Sequence, residues 1–265
     1  MLRRSPVTAY FVLTFALSWL GALAVAAPWL LHGHEPDKMA GLLMFPAMIL
    51  GPCIASLVLT AMLEGRAGLR ALGGRIVLRP AHAAWLLVLL IPPVLILAVL
   101  EAMQRTVSPV YAPNFFWIGA AFGLPAGLLE EVGWTGFVFP RMQQARSPFA
   151  ASILLGVLWS CWHLPVVNYL GTATPHGSYC FLYFLAFALA MTAMRVLIGW
   201  IYANTRSVLL AQLMHISSTG SLVVFSAARA SALQECTWYA VYGVALWMVV
   251  LAIRMRDGAK LMRRA

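Results

Sequence analysis

The sequence predicts an all-α, polytopic membrane protein, and three observations support that prediction. The chain has 265 residues, of which 62% are hydrophobic and only 10% are charged. Its mean hydropathy is +0.86, whereas a soluble domain carries about 25% charged residues. The apolar residues also form long runs, and about 20 such residues let a helix cross the hydrocarbon core of a bilayer.

The apolar runs predict about eight transmembrane helices. Their expected ranges are 7–31, 39–63, 82–103, 114–131, 149–169, 179–202, 206–228 and 238–253. The fourth range ends at a pair of glutamates, and a short amphipathic segment from Trp134 to Gln144 is expected to follow it. Because Pro125 and Pro165 lie within the fourth and fifth ranges, we expect those two helices to be kinked or broken.

The distribution of basic residues predicts the orientation of the chain. If the N-terminus is inside, only Lys38, Arg105 and Arg229 lie outside, and Arg195 lies within a span. The other basic residues are then cytoplasmic: Arg3, Arg4, Arg66, Arg70, Arg75, Arg79, Arg141, Arg146, Arg206, Arg254, Arg256, Lys260, Arg263 and Arg264. By the positive-inside rule, both termini are therefore expected to be cytoplasmic.

The first apolar run has a second interpretation. Its small residues from Ala24 to Ala27 resemble the cleavage site of a signal peptide. The run continues to Leu31, which favours a retained helix. We expect a single membrane-embedded domain over 1–265, with its chemistry in 114–225. The compact chain, without a visible soluble domain or targeting extension, is typical of a multi-pass protein of a prokaryotic inner (cytoplasmic) membrane.

The net charge and the cysteines exclude other classes of protein. The formal net charge is +10, but the basic residues lie in short clusters between apolar runs, and no soluble segment is long enough for a nucleic-acid-binding domain. We therefore expect the lipid bilayer, and no nucleic acid, as a partner. The four cysteines have no CxxC spacing and are interpreted as small buried hydrophobic residues.

Ionisable residues interrupt the apolar character of three segments. Glu130 and Glu131 are two of only eight acidic residues, and His163 and His215 lie in later runs. Ionisable groups at membrane depth are costly, so they are candidates for a functional site. Each also has an ordinary interpretation: carboxylates at the membrane–water boundary, a histidine bonded to a backbone carbonyl, or a polar stripe that joins two helices.

Helical spacing indicates local partners for the glutamate pair and for His163. Neighbouring glutamates on a helix point about 100° apart, so one can act as a base while the other accepts hydrogen bonds from its own helix. Thr135 follows Glu131 by one turn, and Trp159 precedes His163 by one turn. A hydroxyl–carboxylate contact and an indole–imidazole contact are therefore expected.

The third position belongs to a polar stripe. Gln212, His215 and Thr219 share one face of a helix through their i, i+3 and i+4 spacing. We expect prolines and a break after Glu131 to bring this stripe, the glutamates and His163 to one water-accessible pocket.

Three segments resemble the motifs of a known family. They are Glu130-Glu-Val-Gly-Trp-Thr-Gly-Phe137, Trp159-Ser-Cys-Trp-His-Leu-Pro165 and Ser207-Val-Leu-Leu-Ala-Gln-Leu-Met-His215. In this order they resemble the pattern of the CPBP family, the CAAX-protease and bacteriocin-processing membrane endopeptidases, also called Abi proteins. The resemblance extends upstream to 50–55 and 63–70, so that it covers about residues 10–225. It implies that Glu130 is the catalytic glutamate and Glu131 its partner, with His163 and His215 as the motif histidines.

Two positions depart from the family pattern. Thr135 stands where the first motif has Arg, and Thr219 stands where the third has Asn. Thr219 can still donate a hydrogen bond, but Thr135 cannot replace a guanidinium. We expect Arg195 to supply the missing positive charge, because an arginine within the membrane generally needs a partner. The alternative is that Arg195 reaches the cytoplasmic interface.

The resemblance implies hydrolysis of peptide bonds in or near the membrane. Glu130 is then the general base that activates water. His163 returns the proton to the leaving amine, and His215, helped by Thr219, stabilises the oxyanion. No cofactor is expected. Zinc is the alternative, with Glu130, His163 and His215 as its ligands.

The expected partner is a membrane-anchored or hydrophobic peptide or protein substrate. Prenylated CAAX proteins, bacteriocin leader peptides and membrane-anchored regulators all fall within the range of the family. A second hypothesis is an impaired member that acts as an immunity or scaffold protein by binding a peptide or lipidated partner. A proton-relay transporter is a third, without visible repeat halves to support it.

Overall fold

The described part of the chain consists of helices and turns. The computed structural model describes residues 5–78 and 80–261, except for the side chains of residues 80–82, and these ranges contain no strand. The α-helices are α1 Pro6–Leu30, α2 Lys38–Gly73, α3 Ile91–Thr106, α4 Ala120–Pro125, α5 Glu131–Gly133, α6 Phe139–Met142, α7 Pro148–Trp162, α8 Cys180–Thr205, α9 Val208–Val224 and α10 Ala232–Asp257. The predicted all-α class is confirmed.

Within the described part of the chain, five helical segments are long and apolar enough to cross a membrane. They are Pro6–Leu30, Lys38–Gly73, Ala83–Thr106, Gly177–Thr205 and Ala232–Asp257, so the predicted polytopic membrane class is confirmed. The apolar helices α7 and α9 are shorter, with 15 and 17 residues, and they reach only roughly 22–26 Å at the α-helical rise. The total of eight spans and the cytoplasmic position of both termini stay predictions.

Short polar side chains set the starts of four helices. The Asp37 carboxylate accepts a hydrogen bond of 2.7 Å from the Ala40 amide at the start of α2. Ser147, Ser207 and Ser231 cap α7, α9 and α10 in the same way. Side chains of this kind satisfy amides that have no partner within the helix.

The glutamate pair lies in the middle of a helical segment, and the prediction that a break follows Glu131 is wrong. From Ala120 to Met142, α4, α5 and α6 join end to end through π-helical stretches at Ala126–Glu130 and Trp134–Val138. We call residues 120–142 the motif helix. A pair of charged residues in an apolar run resembles the end of a span, whereas both carboxylates are buried inside the protein.

The fifth predicted range is too long. Helix α7 ends at Trp162, and His163 is its C-cap. The chain then forms turns and a short 3-10 helix, Val167–Tyr169. Pro165 explains this end, because a proline disfavours helical conformation at the residue before it.

The packing of the helices brings the three motifs together. The motif helix contacts α2 on one side and α9 on another, while α8 packs against α7, α9 and α10. The first, second and third motifs lie on the motif helix, at the end of α7 and along the first half of α9.

Five of the basic residues used to predict the orientation lie outside the described residues: Arg3, Arg4, Arg79, Arg263 and Arg264.

Candidate functional site

The two glutamates are fully buried and have different partners. Glu130 and Glu131 are each 0% exposed. Because neighbouring residues on a helix point about 100° apart, Glu131 faces α8 and α9, whereas Glu130 faces the end of α7. A buried charge is expensive unless it is paired and hydrogen-bonded, so the partners of each carboxylate determine what it can do.

Glu131 accepts hydrogen bonds on both carboxylate oxygens. Its Oε1 accepts from Arg195 Nη2 and from His215 Nδ1, each at 2.8 Å. Its Oε2 accepts from Arg195 Nη1 at 2.8 Å and from the Thr135 hydroxyl at 2.5 Å. The expected hydroxyl–carboxylate contact of Thr135 is therefore present. With four donors, Glu131 has little capacity left to accept a proton from a reactant.

Arg195 lies at the centre of α8 and pairs with Glu131. Its side chain is 1% exposed, which excludes the alternative that it reaches the interface. The guanidinium lies 4.3 Å from the ring centre of Trp159, and Nη1 lies 3.4 Å from the Thr135 hydroxyl. The bidentate pair places a guanidinium beside Glu131 although Thr135 occupies the motif position of Arg.

Glu130 has one anchored oxygen and one free oxygen. Its Oε2 accepts from Trp159 Nε1 at 2.9 Å and from Trp134 Nε1 at 3.1 Å. Its Oε1 is buried and has no hydrogen-bond partner among the described residues. The hydrogen bond from Trp134 was not predicted from the sequence, although Trp134 lies one turn after Glu130, a spacing that indicates such a contact.

His163 lies where α7 ends, in an aromatic cage. Its Nδ1 donates to the carbonyl of Trp159 at 2.8 Å, which in the neutral ring leaves the lone pair on Nε2. Ring centres of Trp159, Trp162 and Phe187 lie 5.5, 4.8 and 5.0 Å from its own. Both the expected contact with Trp159 and a backbone hydrogen bond are present.

Trp159 joins the three motifs physically. Besides its bond to Glu130 and its contacts with Arg195 and His163, its ring centre lies 5.1 Å from that of His215. The three motif residues therefore converge, but His163 and His215 are only 5% and 2% exposed. The expected water-accessible pocket is therefore not open in this structure.

The polar stripe on α9 divides into two parts. The Gln212 side-chain amide donates to the Leu128 carbonyl at 2.7 Å and joins α9 to the motif helix, as polar residues between membrane helices do. Thr219 lies one turn beyond His215 and is half-buried. No hydrogen bond of its hydroxyl is found within the described ranges, so its assistance to His215 stays a prediction.

Within residues 5–78 and 80–261, no group of three or more His, Cys, Asp or Glu side chains is arranged to hold a metal. Nδ1 of His163 and Nδ1 of His215 already donate hydrogen bonds, to a carbonyl and to a carboxylate. Metal dependence stays a prediction that experiment must decide.

Comparisons with known proteins agree with the three motifs. Residues 112–221 match the model of the family described as Type II CAAX prenyl endopeptidase Rce1-like. The chain is also 35% identical over 95 residues to a CAAX prenyl protease 2 of Methanococcus maripaludis, and this stretch covers 35% of each protein. The family match begins at residue 112, so the resemblance at 50–55 and 63–70 stays a prediction. Residues 112–221, which hold all three motifs, are thus similar to the Rce1-like family, and the predicted resemblance to the CPBP membrane endopeptidases is confirmed.

Proposed function

We propose that this chain is an intramembrane endopeptidase that hydrolyses membrane-anchored or hydrophobic peptides without a metal. One observation carries the proposal. The Oε2 of Glu130 accepts hydrogen bonds from two indoles, whereas its Oε1 has no partner among the described residues. A carboxylate fixed in this way has one oxygen directed at a reactant. Such a group suits a general base.

In the first step, a water molecule loses a proton and attacks the substrate. The Oε1 of Glu130 takes this proton while the water oxygen forms a bond to the carbonyl carbon of the substrate. The lone pair on Nε2 of His163 accepts the second hydrogen of the same water and orients it. Because the Trp159 indole bonds Glu130 and its carbonyl bonds His163, one residue sets the relative position of both groups.

The second step stabilises the oxyanion and releases the amine. His215 donates from Nδ1 to the Glu131 carboxylate, which orients its ring, and in the proposed step Nε2 carries a proton and donates it in a hydrogen bond to the oxyanion. A donor of this kind is worth about 3–4 kcal/mol in the transition state. The carbon–nitrogen bond breaks as the proton passes from Glu130, by way of His163, to the leaving nitrogen.

The ion pair of Arg195 and Glu131 supports this assignment over a non-catalytic scaffold. The scaffold hypothesis depends on the departures at Thr135 and Thr219. Arg195 supplies from α8 a guanidinium that the motif helix lacks at position 135. One of the two reasons to expect an impaired enzyme is thereby removed.

The substrate and the location are also part of the proposal. The relative is named for CAAX prenyl proteolysis, so prenylated C-terminal peptides are a class to test beside leader peptides and membrane-anchored regulators. We propose that the protein acts in a prokaryotic inner membrane with both termini in the cytoplasm.

A comparison of two Glu→Gln variants tests the proposal. Cells that produce wild type, Glu130→Gln or Glu101→Gln are compared by mass spectrometry of new N-termini in membrane proteins. Glu101 is a matched control because it is a partly exposed glutamate paired with Arg105. We expect cleavage products in wild type and Glu101→Gln cells and none in Glu130→Gln cells. Identical products from wild type and Glu130→Gln would contradict the proposed hydrolysis and favour the scaffold.

A further inference from the structure

A second cluster of buried polar groups holds the loop that begins at His163. This loop connects α7 to α8 and ends at Tyr179. It contacts Glu235 in the first turn of α10, which lies beyond the family match at residues 112–221. Glu235 is 0% exposed, so its contacts must compensate for the loss of hydration.

The Glu235 carboxylate is surrounded by donors from the loop. Its Oε1 accepts from the Thr172 amide at 2.9 Å and from the Thr172 hydroxyl at 3.1 Å. Its Oε2 accepts from the Ala173 amide at 2.8 Å and lies 3.2 Å from His176 Nε2. A Cβ on Gly171, where φ is +90°, would lie 2.5 Å from Oε1. The backbone therefore approaches the carboxylate as closely as a glycine permits.

Both ring nitrogens of His176 face acceptors. Nε2 faces the Glu235 carboxylate, and Nδ1 lies 3.1 Å from the Asn168 carbonyl. The imidazole therefore links the Glu235 carboxylate to the backbone of the loop. The ring is 2% exposed and stacks on Tyr183 with ring centres 3.7 Å apart.

Hydrogen bonds continue from this cluster to His163. The His176 amide donates to the side chain of Asn168 at 2.9 Å and to its carbonyl at 3.2 Å. The amides of Val166 and Val167 each donate to the His163 carbonyl at 2.9 Å. These bonds fix His176 to Asn168 and the turn at Val166 and Val167 to His163, so the Glu235 cluster and His163 belong to one hydrogen-bonded loop.

We propose that Glu235 and His176 are positioning residues that hold His163 in its orientation towards Glu130. The effect on catalysis rests on the proposed hydrolysis, whereas the effect on the order of the loop can be measured without activity. A displacement of about 1 Å at a catalytic group can cost up to about 100-fold in rate. Loosening this cluster is therefore expected to reduce kcat more than KM.

The test uses variants that preserve shape. Glu235→Gln replaces one acceptor oxygen by an amide NH2, which cannot accept the hydrogen bonds of the loop. His176→Gln removes the imidazole that faces both Glu235 and Asn168. Asp257→Asn is the matched control because it makes the same carboxylate-to-amide change at the other end of α10, where Asp257 accepts from Trp200. Each full-length variant is placed in lipid nanodiscs and measured for hydrogen exchange over residues 163–176 and for cleavage of a membrane peptide.

We expect Glu235→Gln and His176→Gln to accelerate exchange in the loop by about tenfold or more and to lower kcat by about 10- to 100-fold with KM within about twofold. The double variant is expected to be no worse than the poorer single variant, because the two residues act as one unit. Asp257→Asn is expected to match wild type in both assays.

Unchanged exchange over 163–176 in both single variants would overturn the proposal, as would faster exchange with unchanged kcat. The exchange measurement needs no substrate. If wild type cleaves nothing, the proposed hydrolysis fails, and the exchange result alone decides whether the cluster holds the loop. If Glu235→Gln does not fold, the proposal is tested with His176→Gln, because that variant leaves three donors on the Glu235 carboxylate.

Discussion

Arg195 Nη2 lies 2.8 Å from Glu131 Oε1, and both side chains are essentially inaccessible to solvent. The pair joins α8 to the motif helix. Removing one partner from a buried pair leaves an uncompensated charge, which costs about 3–5 kcal/mol. We therefore expect the guanidinium to be required both for folding and for the charge balance of the site.

The first prediction concerns this pair. Arg195→Ala should fold poorly or lose activity although every motif residue remains. Thr135→Arg combined with Arg195→Ala is expected to restore part of the yield, because it returns a guanidinium to the motif position one turn from Glu131. Folded yield and thermal unfolding in detergent measure both variants.

Arg105→Ala serves as the control for this prediction. Arg105 forms an exposed i, i+4 pair with Glu101, and such pairs contribute about 0.3–0.5 kcal/mol. Arg195→Ala with the yield, unfolding temperature and activity of wild type would refute the requirement for the guanidinium.

The second prediction separates two tryptophans on the same helix. Trp159 donates from Nε1 to Glu130, whereas the buried Nε1 of Trp162 has no partner among the described residues. Hydrogen bonds to charged groups are worth about 1.5–3 kcal/mol. Trp159→Phe is therefore expected to lower kcat by about tenfold or more, measured on a cleaved membrane peptide.

Trp162→Phe is the matched control because it makes the same change without removing a hydrogen bond to a carboxylate. It retains an aromatic ring beside His163. Equal losses of kcat in the two variants would show that aromatic packing, rather than the indole donor, accounts for the effect.

Local spacing predicted some of these contacts, while tertiary packing determined the others. The contact between Thr135 and Glu131 follows from one turn of helix, and the pairing of Arg195 was expected because a membrane helix rarely holds a lone guanidinium. The continuous motif helix was missed because the carboxylates resemble the end of a span until their partners are known. The contacts of Glu235 join positions about 60 residues apart, and no periodicity indicates them.

The third prediction concerns His215. In the proposed mechanism its Nε2 donates to the oxyanion, and Glu131 holds the ring in position through Nδ1. Loss of one such donor costs about 100- to 1,000-fold in kcat. His215→Gln should therefore lose most of kcat with KM little changed, as measured by steady-state cleavage of a membrane peptide.

His32→Gln is the control for His215→Gln, because His32 is an exposed histidine that bonds to the Pro28 carbonyl one turn earlier. It should match wild type. A large rise in KM with unchanged kcat in His215→Gln would assign His215 to substrate binding and contradict its role at the oxyanion.

The last prediction is that chelators leave activity intact. The carboxylate oxygens of Glu131 accept from Arg195, Thr135 and His215, so a divalent cation beside Glu130 would add positive charge next to a guanidinium that Glu131 already neutralises. Activity is measured in nanodiscs after treatment with 1,10-phenanthroline and removal of the chelator. We expect the rate of the untreated protein, because a base with a free oxygen and two imidazoles activates water and stabilises the oxyanion by itself. Loss of cleavage that zinc restores would instead make Glu130, His163 and His215 metal ligands, and the attack would then proceed from a metal-bound water.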